Sequence, residues 1–347
     1  MAERLKQRLV ELDSLRGVAA LSVLIFHYAN QFDQRYHHIG RFPYTFEVGR
    51  YGVHLFFLIS GFVIFMSLEN TKRNMDFVVS RLSRLFPAYW VALGITFAAT
   101  RMAGLPDQSV SIHDALINAT MLQDLFGARD VDGSYWTLQI ELLFYMQMLL
   151  WFSMGLLPRI RTIICGWLIL GAVFGMANRF DHSLSYIVRE ILDLRYMPFF
   201  SAGILLFRIH RGYDELKLNV LLICAAVSVA WLIWSWEQAL ALAVCSGIIG
   251  LFVAGRLGFL ARQPLTFLGS ISYTLYLLHQ EIGFILISYF ESIGLSSPVS
   301  ILITTAVVML MAWLLMRLIE RPAMRLVRRA YRQWLDRPQS TKAGGAG

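Results

Sequence analysis

Apolar residues recur along this chain in long runs, separated by short polar stretches that are often basic. The runs fall at 13–30, 52–68, 86–103, 136–157, 162–177, 197–209, 218–236, 239–254, 271–289 and 299–319. A helix crossing the hydrocarbon core of a bilayer needs roughly 20 such residues. The pattern therefore predicts an all-α polytopic membrane protein, a bundle of about ten transmembrane helices, with 197–209 the shortest. No internal repeat and no soluble domain stand out. With the N-terminus inside, the inside segments hold 22 lysines and arginines and the outside segments 8. That bias sets membrane orientation and predicts a multi-pass protein of the inner (plasma) membrane with both termini in the cytoplasm. Residues 1–320 form the membrane domain on this reading. Residues 321–347 form a basic, amphipathic cytoplasmic tail that rests on anionic lipid. Glu320, Arg321 and Pro322 read as a structural charge pair stopped by proline, and the closing STKAGGAG reads as disordered.

Composition narrows the class. The chain is 57% hydrophobic and 16% charged, too little charge to cover a soluble protein of this size. A net charge of +8 raises nucleic acid as a partner. No basic patch interleaved with aromatics stands apart from a hydrophobic segment, however, and the membrane accounts for the charge. Cys165, Cys224 and Cys245 lie inside apolar runs at spacings that suit neither disulfides nor a metal, and read as inert core thiols. The N-terminal MAERLKQR ahead of an apolar run resembles a signal peptide, but without an A-x-A site it is expected to be retained.

The candidate chemistry lies in polar groups placed where lipid would not tolerate them. Charged groups at a helix centre cost at least ~2.5 kcal/mol in a bilayer. In DSLRGVAALSVLIFHYAN, Arg16 and His27 are eleven residues apart, close to whole turns, so they share a face about 16 Å apart. Asp13 is available to pair with Arg16, and a snorkelling arginine and a satisfied core histidine remain open readings. In the second run His54 lies near the outer end, and Ser60-Gly61 invites close helix packing. Arg81 and Arg84, three apart before Pro87, are neighbours that fit either positive-inside anchoring or bidentate grip on phosphate. Thr137, Glu141 and Tyr145 follow i, i+4, i+8 as one polar stripe. The depths of Glu141 and His27 match, so the two are candidates for a hydrogen bond that would raise the imidazole's basicity. Ser272, Tyr276 and His279 share a face of the ninth run. The loop 104–135 is acidic.

Together these segments carry a family resemblance. LDSLRGVAALSVLIFH, GVHLFFLISGF, RLSRLFPAYW, YWTLQIELLFY, ISYTLYLLH and the closing ERP, in that order, resemble the acyltransferase-3 family of integral membrane acyltransferases, which modify sugars of surface or secreted glycans. The resemblance spans nearly the whole chain. It implies essential roles for Arg16 and His27 and an acyl-CoA-binding role for Arg81 and Arg84, and it places Glu141 and His279 in further recurrent motifs. His54 stands where many members have aspartate. Asp13, His54, Tyr145, Tyr276 and His279 are candidate lining residues. The expected reaction moves an acyl group, acetyl by family prevalence, from cytoplasmic acyl-CoA as co-substrate to a sugar hydroxyl, with no bound cofactor, no metal and no nucleic acid. His27, oriented by Glu141 or another neighbour, would be the general base; direct transfer and an acyl-enzyme both stay open. A proton-coupled transporter or flippase would also use intramembrane His, Glu and Arg, but would be expected to show repeats and broken helices in two halves.

Overall fold

A computed structural model describes residues 2–39, 43–179, 191–212 and 215–336; the closing STKAGGAG lies outside the described residues. Among these the chain is helical, with no strand. Helix α1 (Ala2–Phe26) runs through a wide π turn, His27–Gln31, into α2 (Phe32–Tyr36). There follow α3 (Gly52–Glu69), α4 (Asn74–Ala103), a short α5 (Ile112–Asn118), α6 (Trp136–Ser153) and α7 (Ile160–Arg179). After these come α8 (Met197–His210), α9 (Leu216–Ile233), α10 (Trp236–Val253), α11 (Leu265–Leu278), α12 (Gln280–Ser292) and α13 (Ser297–Leu315). A second π turn, Met316–Glu320, leads into α14 (Arg321–Leu335).

Each apolar run falls on a helix. Six helical stretches among the described residues are long and apolar enough to cross a membrane: Glu47–Glu69, Asn74–Ala103, Leu157–Arg179, Leu216–Ile233, Trp236–Val253 and Ser297–Leu335. The protein is thus all-α and polytopic. Three expectations need correction. The 271–289 run is two helices bent at His279 rather than one. Pro322 does not stop the chain; it sits in the first turn of α14, where its missing N–H costs nothing. Cys224 is exposed on the bundle's outside rather than buried in it. The described part of the tail docks on α4, where the Tyr331 hydroxyl donates to Asp76 at 2.8 Å and Arg328 reaches the Ser80 carbonyl at 3.4 Å. Leu326 and Trp334 stay exposed on it.

Close backbone approach organises the centre. A side chain at Gly17 would strike the backbone of Leu268 and Gly269, and one at Gly269 would strike Asp13 and Ser14. Bare glycines let α1 and α11 touch there without intervening side chains. Gly61 likewise admits the backbone of Phe200, so α3 lies against α8. The bundle has two distinct ends. Segments 32–39, 43–51 and 104–135 cover one, the loop end. The first half of α4 and α14 gather arginines at the other, the arginine end.

Candidate functional site

The first-helix histidine does not stand alone. His27 Nδ1 lies 2.8 Å from His279 Nε2, with the two ring planes nearly parallel, 8° apart. His279 Nδ1 lies 2.8 Å from the Tyr276 carbonyl, which can only accept, so that nitrogen carries the proton. With both rings neutral, His279 Nε2 is then the acceptor and His27 Nδ1 the donor. The order Tyr276 carbonyl, His279, His27 leaves His27 Nε2 as the one unprotonated ring nitrogen that the relay does not use. It is the atom a general base needs.

Local structure builds this relay. His279 sits at the bend between α11 and α12, and the Tyr28 hydroxyl caps its carbonyl at 2.8 Å. Tyr28 fits only because residue 283 is glycine; a Cβ there would collide with the tyrosine ring. His27 opens the π turn, a distortion often found at functional positions. That turn is held from beyond by His38, which bridges the Tyr28 carbonyl (3.0 Å) and the Glu291 carboxylate (2.6 Å). Glu291 also accepts from the backbone N–H of Ile39 at 2.9 Å.

His27 lines a cavity of about 300 Å³ toward the loop end, together with His54, Arg50, Trp136 and Tyr196. His54 therefore faces this space; its Nδ1 is buried without a hydrogen-bond partner, and its ring packs 4.6 Å from Phe199. Val53 also lines a second, much tighter space of about 30 Å³, walled by Arg16, Phe56, Ser60, Glu141 and Tyr276. Tyr276 and Thr137 are hydrogen-bonded there at 2.9 Å.

Glu141 belongs to this inner space and not to the histidine. It accepts from Ser60 Oγ at 2.7 Å and from the Tyr145 hydroxyl at 2.5 Å. Matching depth put Glu141 and His27 on one level, but the π turn delivers the imidazole to α11 while α6 turns its stripe toward α3. Beyond Tyr145 come the arginines. Arg81 neighbours Tyr145, donates to Ser67 Oγ at 3.0 Å and lies over the Phe77 ring. Arg84 has Tyr145, Asp13, Glu320 and Glu141 around it. Glu320 in turn faces Arg84, Arg16 and Arg321, so it serves the interior cluster as well as its sequence neighbour. Asp13 itself is exposed. The candidate residues thus form one series from the arginine end, through the tight space, to the histidine pair. No group of three or more metal-ligating residues occurs among the described residues.

At the loop end a polar cavity of about 400 Å³ lies between segments 32–39, 43–51 and 104–135, lined by Arg35, Asp107, Gln108, Arg129, Asp130 and Glu281 among others. Gly133 lines both this cavity and that of His27. Asp132 is buried and accepts from Ser134 Oγ at 2.6 Å and from the Glu281 N–H at 3.2 Å, tying this loop to the helix just after His279. Burial first, and then Asp124, push the Asp130 carboxyl up to about 7. The pattern of hydropathy did not reveal Tyr28, His38, Asp132, Glu281, Glu291 or Glu320 as contributors. Of these, Glu320 had a signal in the ERP motif and Asp132 in the acidic loop 104–135.

The architecture and the polar series through it define an integral membrane protein with an internal histidine site. The acyltransferase family's sequence pattern, described as an acyltransferase domain, matches residues 9–317, and the chain belongs to that family. Over 117 residues it is 27% identical to the exopolysaccharide production protein ExoZ of Rhizobium meliloti, covering 32% of this chain and 36% of that protein. It is 27% identical over 199 residues to nodulation protein 10 of Rhizobium leguminosarum, covering 50% and 54%. It is 33% identical over 121 residues to protein 2 in the picA locus of Rhizobium radiobacter, covering 33% and 58%. The chain thus spans between about a third and three-fifths of the length of these relatives. No solved structure matches it.

Proposed function

We infer that this protein is an O-acyltransferase that moves an acyl group, acetyl in the first instance, from cytoplasmic acyl-CoA to a hydroxyl of a surface or secreted glycan. Family membership supports the reaction class, and the name of the ExoZ relative supports a polysaccharide acceptor. The observation that carries the reading is the relay that leaves His27 Nε2 unprotonated at the edge of a cavity of about 300 Å³. Arg81 and Arg84 grip the phosphates of CoA at the arginine end, and the thioester reaches the histidine through the tight space beside Arg16 and Glu141. The acceptor enters from the loop end. His27 Nε2 takes its hydroxyl proton, the oxygen attacks the thioester carbonyl, and the tetrahedral intermediate expels CoA as the thiolate, which the histidine's proton neutralises. His279 holds His27 in the working tautomer, as a second group commonly does for a catalytic imidazole.

Surface-glycan mass spectra from a deletion strain and its parent test this. Loss of one acyl substituent from the deletion strain is expected, and its mass names the group. Identical spectra would sink the assignment.

A further inference from the structure

The largest cavity described here lies apart from the histidine site, at the arginine end. It measures about 620 Å³ and is bounded by the ends of α3, α6 and α8, with Phe65, Thr71, Phe152, Arg208 and Arg211 among its walls. Arg208 in the last turn of α8 and Arg211 at its C-cap, which keeps helical backbone angles, are three apart and so present neighbouring guanidinium groups. Among the described lining residues the sole carboxylate is Glu69, 3.6 Å from Arg211 Nε. Two planar cations, the half-buried Phe152 ring and this volume match the needs of a purine nucleotide bearing a phosphate.

Its position links it to the proposed transfer path. Phe152 lies seven residues beyond Tyr145 on α6, hence on the same face about 10 Å nearer the arginine end. Ser67, which accepts from Arg81, directly precedes the lining residues Leu68 and Glu69. From Tyr145, beside Arg81 and Arg84, up α6 to Thr137 is eight residues, about 12 Å. A phosphopantetheine arm drawn out to full length spans about 20 Å at the spacing of an extended chain. We propose that this cavity is the binding site for the 3′-phosphorylated adenosine end of the acyl-CoA donor, with Arg208 and Arg211 on the 3′-phosphate and the half-buried Phe152 against the base. Arg81 and Arg84 are left for the pyrophosphate, and an arm anchored there reaches past Thr137 and Tyr276 toward the histidine pair. The proposal rests on the donor assignment above, and anchoring of α8 by its basic end is the competing explanation for the two arginines.

The test compares acetyl-CoA with 3′-dephospho-acetyl-CoA in equilibrium binding to the purified full chain in nanodiscs. Wild-type protein is expected to prefer the 3′-phosphorylated ester by about tenfold, the scale of one or two charge-assisted hydrogen bonds. In R208Q/R211Q that ratio falls toward one. A ratio kept in the variant, or absent from the wild type, overturns the proposal. If the double variant does not fold, R211Q alone is measured. Competition on unmodified protein is then measured too: adenosine 3′,5′-bisphosphate should displace acetyl-CoA at about tenfold lower concentration than AMP, and equal displacement overturns the site. Wild-type protein that binds neither ester refutes the donor assignment itself, an outcome separate from the loss of preference.

Discussion

At the scale of single residues, a base and the group that sets its tautomer have separable effects. Replacing His27 by alanine should abolish acyl transfer at equal membrane abundance, since a positioned base is worth about 10²–10⁴-fold; near-normal product would remove it from the chemistry. His279→Ala should lower kcat by about 10–100-fold with KM little changed, because the base survives but loses its orientation. A rise in KM for donor or acceptor without a fall in kcat would show that His279 contacts substrate instead. Arg81→Gln together with Arg84→Gln should raise the apparent KM for acyl-CoA and leave that for the acceptor. If only abundance changed, the pair would be membrane anchors. The Arg16 and His27 pairing was legible because helical period alone aligns residues eleven apart. Glu141's partner was not, because depth is one coordinate of three and the π turn rotates the imidazole away. His38 and Glu291, 253 residues apart, make a contact that no local pattern encodes.

Elements carry the precision that those residues require. The bend at His279 and the π turn at His27 face each other, and Tyr28 joins them. Gly283→Ala should therefore cost about 1–3 kcal/mol through overpacking, read as a lower melting temperature in detergent, together with a loss of activity. Tyr28→Phe removes only a hydrogen bond, about 1 kcal/mol; equal effects from the two would mean that packing is not the issue. The segment around Asp130 should respond to pH. Its carboxyl is raised to about 7 from an ordinary value near 3.8. The contribution is thus full below about pH 4 and is lost as pH rises through 7. Hydrogen-exchange protection factors across 119–135 should be higher at pH 5 than at pH 8, and Asp130→Asn should flatten the difference. A wild-type profile independent of pH would contradict this. Hydropathy did not reveal α5, which is too short and polar to form an apolar run, and it could not show that one apolar run bends at a histidine, since a bend leaves the run's composition untouched.

On the scale of the whole molecule, the arginines and the histidine pair occupy opposite ends of one interior. Labelled acyl-CoA supplied only to the cytoplasmic face of sealed vesicles should label an acceptor confined to the other face. Label appearing only when donor and acceptor share the cytoplasmic face would refute transfer across the bilayer, whatever became of the enzyme assignment. The tight space of about 30 Å³ between the two ends has a further consequence. It holds no more than a water or two, so two aqueous vestibules are kept apart by a plug of packed side chains. A bilayer that holds such a protein keeps its two sides sealed from one another. The donor's arm, once inserted, would fill the gap it opens, so that the substrate serves as its own stopper.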